Sequence, residues 1–186
     1  MKVTIERKGI LNFSMEYGSY LGLYFIVKFL LATLSLRFAI CDVLSALMLV
    51  SIPFVLYYLM IRFRRQNGGA SFYSLLWMLG ILLFFFASMI SGLAEYIYYA
   101  YIDPQYIHNQ VTALLSLLES MPSLQENEMM NLARQGFENG AIPSPIEMVI
   151  QTMWANVFFG SLLSMIVAWP ANRKRIASQN DTDNTL

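Results

Sequence analysis

Four long runs of apolar residues constrain the fold of this chain more than any other feature of its sequence. The runs cover residues 10–36, 43–61, 72–101 and 145–169. Each is close to or above the ~20 residues that an α-helix needs to cross the hydrocarbon core of a bilayer. Only 13% of the 186 residues are charged, whereas soluble domains carry about 25%. The sequence therefore predicts an all-α fold, a four-helix transmembrane bundle formed by residues 1–177 as a single multi-pass membrane domain.

The basic residues are distributed unevenly between the two sides of the predicted bundle. Nine of the twelve fall on one side: Lys2, Arg7, Lys8, Arg62, Arg64, Arg65, Arg173, Lys174 and Arg175. The other side has only Arg37 and Arg134. Because basic residues are kept in cytoplasmic loops near helix ends, we expect both chain ends to be cytoplasmic. Residues 178–186 lack apolar periodicity, which predicts a disordered cytoplasmic tail.

Residues 102–144, between the third and fourth runs, form the one sizeable segment outside the predicted spans. Their pattern predicts an extracytoplasmic insert of two short helices. Asp103 is suited to cap the first helix, with Pro104 at its first position, and apolar residues then recur at helical spacing. Ser123 and Glu126 have the spacing of a capping box that would begin the second helix. We expect segment 103–140 to bind a protein partner or to lie on the membrane surface.

Among the ionisable residues of the predicted spans, Lys28 and Glu95 are the two most worth weighing, because a charge inside a span costs about 2.5–3.5 kcal/mol or more at its centre. Both lie roughly 12–14 Å from the predicted outer ends of their helices, so they form a candidate intramembrane ion pair. The pair could belong to a proton or ion path, or it could only lock the first helix against the third. A third interpretation has Lys28 extending outward to the headgroups without a partner.

Three pairs of small residues recur at a four-residue spacing, which lets the backbones of two helices approach closely. They are Gly18 and Gly22 in the first run, Ser88 and Gly92 in the third, and Gly160 and Ser164 in the fourth. The pattern favours packing within the four-helix bundle, because every helix must pack against a neighbour. Homo-oligomerisation through one of these faces is the alternative.

The sequence lacks the residue patterns of the familiar catalytic and metal sites. Cys41 is the only cysteine and His108 the only histidine, so the usual ligand sets for a metal cannot be assembled. No P-loop, GxGxxG or HExxH motif is present. A net charge of +0, without a basic block interleaved with aromatic residues, argues against a nucleic-acid surface. We therefore expect no cofactor, no metal, no nucleic-acid partner and no enzymatic activity.

The order of features along the chain resembles one known family. A basic N-terminus is followed by an arginine turn before Ser71-Phe72, by Tyr-Ile-Asp-Pro at 101–104, by a helical insert and by Gly160-Ser-Leu-Leu-Ser164 ahead of Arg173-Lys-Arg175. Over nearly the whole chain this is similar to the bacterial membrane family catalogued as domain of unknown function 4199 (DUF4199). The resemblance implies a protein of the bacterial cytoplasmic (inner) membrane, and it brings no activity and no catalytic residues.

Two classes of function remain open. The first is a non-enzymatic, partner-binding or structural membrane component that acts through segment 103–140. The second is a small transporter or channel subunit that uses Lys28, Glu95 and a kink at Pro53, which removes a backbone donor inside the second helix. Four helices leave little room for an aqueous pore, so the second class requires a homo-oligomer.

Overall fold

The computed structural model describes residues 9–35, 38–67, 72–119 and 143–173. These residues form five α-helices and no strand: Ile10–Leu34 (α1), Ala39–Gln66 (α2), Tyr73–Ile97 (α3), Tyr106–Glu119 (α4) and Pro145–Arg173 (α5). A π-helical turn, Tyr98–Ile102, continues α3. The second helix predicted for the insert and the tail 178–186 lie outside the described residues.

Four of the helices, all except α4, are long and apolar enough to cross a membrane. Large apolar side chains stand exposed along them, among them Ile40 (82% exposed), Phe54 (71%) and Trp154 (71%). Apolar surface of this extent is not stable against water and needs an apolar solvent or a partner. The length and the exposed apolar surface of these four helices therefore indicate a membrane protein.

Two helices are longer than the apolar runs that predicted them. The second run covers residues 43–61, but α2 is helical from Ala39 to Gln66 and includes the arginines at its end. The fourth run ends at residue 169, but α5 continues through Pro170 to Arg173. The apolar run corresponds to the part of a helix that suits the hydrocarbon core of a bilayer. The backbone hydrogen bonds of the helix continue past it, into the region of the membrane–water interface. Asn67 Nδ2 closes the end of α2 by donating to the carbonyl of Phe63 at 3.1 Å.

The first helix of the insert begins later than Pro104, where the sequence places its start. The backbone N–H of Asp103 donates to the carbonyl of Tyr98 at 2.9 Å, which extends α3 by the π-helical turn. The carbonyl of Asp103 then accepts from the N–H of Tyr106 at 3.1 Å, and α4 begins there. Asp103 therefore connects the π-helical turn to α4 through the hydrogen bonds of its backbone N–H and carbonyl.

The fourth span begins at Pro145 with a capping box. The backbone N–H of Ser144 donates to Glu147 Oε2 at 2.8 Å, and the N–H of Glu147 donates to Ser144 Oγ at 3.4 Å. This reciprocal pair satisfies two donors that a helix start leaves unpaired. It places the helix start at the residue that the sequence pattern indicates.

The chain divides into two compact units. Unit 1 comprises Met1–Ser91 and Thr152–Leu186, and unit 2 comprises Gly92–Gln151. Residues of α1, α2, α3 and α5 form the core of unit 1, including Phe13, Leu21, Leu56, Met60, Leu79, Leu83 and Ala168. Near the start of α1, Phe13 contacts Phe63 near the end of α2, with ring centroids 5.1 Å apart. At the start of α3, Tyr73 Oη donates to the carbonyl of Met165 in the second half of α5 at 2.9 Å. Within unit 1, the starts of α1 and α3 therefore lie at the same end as the ends of α2 and α5.

Candidate functional site

Unit 2 contains a buried carboxylate beside three aromatic rings. Glu95, in the last turn of α3, is 6% exposed. The tyrosine cluster, Tyr98, Tyr99 and Tyr106, follows it along the chain. Tyr99 and Tyr106 are stacked with ring centroids 5.6 Å apart and an interplanar angle of 19°, and Tyr98 packs edge-on against Tyr106 at 5.6 Å. Such pairs contribute about 0.5–1.5 kcal/mol beyond the area that they bury.

The π-helical turn is what brings these tyrosines together. A π-helical turn holds more residues than an α-helical turn, so it changes the direction of every side chain that follows. Tyr98 and Tyr99 lie in this turn, and Tyr106 packs against both of them. Single π-helical turns within α-helices occur frequently at functional sites, which makes this cluster the candidate site of unit 2.

The phenol of Tyr106 keeps its proton at neutral pH. Burial raises its pKa most, the hydrogen bond from Gln110 Nε2 at 3.1 Å opposes this, and Tyr98, Asp103 and Glu95 raise it further. Because its ordinary pKa is already about 10, the raised value keeps the phenol neutral throughout the physiological range. Tyr106 can therefore offer a neutral hydrogen-bonding group, and the cluster offers ring faces near a carboxylate.

Lys28 and Glu95, the candidate ion pair, lie in different units. Lys28 is half-buried on α1 in unit 1, and Glu95 is buried on α3 in unit 2. Burial of a carboxylate on an apolar helix is costly, and this supports a special role for Glu95. The ion pair itself stays a prediction.

The glycines of α1 pack against α3. A Cβ atom on Gly18 would lie 2.8 Å from Cβ of Phe86, and one on Gly22 would lie 2.9 Å from Cβ of Ile90. Real Cβ atoms essentially never approach so closely, so only glycine permits this backbone separation. Gly18 and Gly22 therefore allow α1 to pack closely against α3 within unit 1. The hydrophobic effect does not drive helices together in lipid, so close van der Waals packing of small residues stabilises such a contact.

The contact between α3 and α5 is closer still. A Cβ atom on Gly80 would lie 2.1 Å from Ser164 Oγ, and one on Gly160 would lie 2.2 Å from Cγ of Phe84. Ser164 Oγ donates to the carbonyl of Gly160 at 2.6 Å, which satisfies its hydroxyl within α5. Gly160 and Ser164 were singled out from their spacing, whereas Gly80 was missed because no small residue lies four positions away.

The remaining small residues of the predicted packing pairs, Ser88 and Gly92, are both buried on α3. Ser88 is 0% exposed on the part of α3 that belongs to unit 1, and Gly92 is buried in unit 2. Pro53 is half-buried inside a continuous α2. One turn before it, Tyr24 Oη donates to the carbonyl of Met48 at 2.7 Å and is hydrogen-bonded to Ser51 Oγ. This polar contact of α1 with α2 was not anticipated, because a tyrosine within an apolar run is usually read as an interface anchor.

Arg64 was counted from the sequence as one of nine basic residues on one side, but its burial and its contact were not anticipated. Its side chain is 7% exposed, and Nη1 donates to the carbonyl of Ala171 in the last turn of α5. The last four carbonyls of a helix lack partners within the helix, and a cation at this position also interacts favourably with the helix dipole. Arg64 therefore joins the ends of α2 and α5, while its neighbours Arg62 and Arg65 are exposed.

The described residues contain no group of three or more His, Cys, Asp or Glu side chains that could hold a metal ion. His108 is exposed on α4, and Cys41 is half-buried on α2.

Comparison with known proteins gives one match. A family model described as "Protein of unknown function (DUF4199)" matches residues 16–172. No curated protein and no protein of solved structure matches the chain. The match extends over all four apolar helices.

Proposed function

Because the chain belongs to the family described as "Protein of unknown function (DUF4199)", whose description names no activity, we propose a function from its own features. It is a non-enzymatic, multi-pass component of the bacterial cytoplasmic membrane that binds a protein partner through segment 103–140. Both chain ends are cytoplasmic in this proposal, since nine basic residues favour that side. Segment 103–140 then faces away from the cytoplasm.

The observation that carries this proposal is the division of α4 into two sides. Ile107, on α4 in unit 2, is 3% exposed. His108, Asn109, Thr112 and Ser116 are exposed and form what we name the polar face of α4. The hydroxyls of Thr112 and Ser116 donate to backbone carbonyls at 2.9 and 2.8 Å. The exposed polar groups of α4 suit hydrogen bonding to a protein partner in water, which supports the proposal.

The test is to place charges on the polar face and to follow the proteins that copurify with the full-length chain. Asn109→Arg with Thr112→Arg is expected to reduce a specific copurifying protein at least about tenfold, because an unpaired charge buried at an interface costs more than the 1.4 kcal/mol that a tenfold change represents. Asn109→Ser with Thr112→Ser keeps small polar groups and should retain the protein. An unchanged set of copurifying proteins with the arginine pair would refute the proposal.

Glu95 supports a second candidate function, that of an oligomeric transporter or channel subunit. It is a buried carboxylate at the end of an apolar helix, and such groups often mark ion or proton paths. This candidate predicts proton or cation flux into proteoliposomes that Glu95→Gln abolishes and that Glu16→Gln, at an exposed position of α1, preserves. Flux no greater than that of empty liposomes, or a strictly monomeric protein in mild detergent, would exclude it.

A further inference from the structure

Arg62, near the end of α2, contacts two tyrosines at the surface of unit 1. Its guanidinium carbon lies 5.0 Å from the centroid of the Tyr17 ring on α1, and Nη1 donates to Tyr58 Oη at 3.3 Å. A cation over an aromatic ring is attracted by the negative face of the ring. The two contacts hold the guanidinium between Tyr17 of α1 and Tyr58 of α2, and Arg62 remains exposed.

The contacts of Arg62 leave its charge uncompensated. Both partners are neutral phenols, and within the part of the chain that the structure describes Arg62 forms no ion pair. Arg64, only two residues further on, has a different role, because it is buried against the backbone of α5. Tyr58 is 60% exposed, and Tyr20, whose ring lies 6.2 Å from that of Tyr17, is 64% exposed. An exposed, oriented guanidinium with free N–H groups is suited to bind an anion in a bidentate manner.

The position of Arg62 along α2 indicates the kind of anion that its guanidinium is placed to bind. The span Ile40–Gln66 has 27 residues and is about 40 Å long, which exceeds the ~30 Å hydrocarbon core and places its ends in the headgroup layers. Arg62 lies about 6 Å from the end of α2. At the same end of unit 1, Arg173 lies over the Trp169 ring at 4.0 Å. Tyrosine and tryptophan prefer the depth of the lipid headgroups, where the available anion is a lipid phosphate.

We propose that Arg62, oriented by Tyr17 and Tyr58, binds the phosphate of an anionic phospholipid in the leaflet at this end of unit 1. The shared chemistry is that of a phosphate, and the source is the headgroup of a lipid held beside α1 and α2. This site is independent of the partner-binding face of α4, so either proposal can fail without the other.

The experiment titrates the full-length chain in a neutral detergent with phosphatidylglycerol or phosphatidylcholine and measures bound lipid by native mass spectrometry. Arg62→Gln is expected to weaken phosphatidylglycerol binding about fivefold, the effect of one basic residue at a membrane surface. Arg62→Lys keeps the charge but not the flat, bidentate geometry, and is expected to weaken binding at least about twofold. Arg65→Lys, at an exposed position of the same helix, is the matched control and should have no effect.

Three outcomes would overturn the proposal. The first is an equal response to Arg62→Lys and Arg65→Lys, which would indicate diffuse attraction. The second is equal binding of phosphatidylcholine and phosphatidylglycerol. The third is displacement of the lipid by inorganic phosphate at the same concentration, which would assign the site to free phosphate. Tyr17→Leu tests the geometry without changing charge, and it should weaken phosphatidylglycerol binding about two- to fivefold through loss of the cation–π contact.

Discussion

Replacing Gly80 with alanine is expected to lower the free energy of unfolding by about 3 kcal/mol, near the upper end of the usual cost of overpacking. The added methyl group would lie 2.1 Å from Ser164 Oγ and 2.4 Å from Ser164 Cβ. Cβ of serine has no freedom to move aside, so α3 and α5 must separate. Denaturant unfolding of the purified protein in mixed micelles measures the change.

Two further variants identify the cause of this loss. Gly9→Ala is the control, because nothing lies within 4 Å of the position that its Cβ would occupy, and it should leave stability within about 0.5 kcal/mol of the parent chain. Ser164→Gly in the Gly80→Ala background removes the atoms that clash and should restore part of the lost stability, as expected for residues in direct contact. A Gly80→Ala protein as stable as Gly9→Ala would contradict the close α3 to α5 contact.

Replacing Arg64 with methionine is expected to lower the free energy of unfolding by about 2–3 kcal/mol. Methionine retains much of the side-chain length but cannot donate a hydrogen bond, so the carbonyl of Ala171 loses its charged donor. A hydrogen bond to a charged group contributes about 1.5–3 kcal/mol. The same unfolding measurement in mixed micelles provides the comparison.

Arg65→Met is the matched control for Arg64→Met. It removes the same charge from the same helix end, but Arg65 is exposed whereas Arg64 is 7% exposed. We expect it to change stability by no more than about 0.5 kcal/mol. Equal losses from the two substitutions would show that net charge at this end, and not the contact with α5, stabilises the protein.

The spans themselves were predictable because crossing a bilayer requires a long uninterrupted apolar segment. Each of the four apolar runs corresponds to a long helix of the structure. The ends of α2 were not predictable in the same way. Arg62, Arg64 and Arg65 end the apolar run, but they are good helix formers, so the helix continues through them to Gln66.

The candidate site was only partly accessible to sequence reasoning. Glu95 was identified because an ionisable residue in an apolar run is rare and costly. The contact of Tyr99 with Tyr106 was not identified, because it depends on the π-helical turn and on the junction at Asp103. A regular α-helical period assigns residues after such a turn to the wrong face, so periodicity could not place the cluster.

By itself, the sequence determined that this protein is helical, that four segments are long and apolar enough to cross a membrane and that it belongs to the DUF4199 family. These properties follow from local composition and from the cost of exposing apolar and backbone groups to the wrong solvent. Only the tertiary structure decided which glycine contacts which helix, which of three neighbouring arginines is buried, and which one is left exposed on a tyrosine ring. The physical reason is that these outcomes depend on distances of a few ångströms between helices, and apolar periodicity contains no information about them.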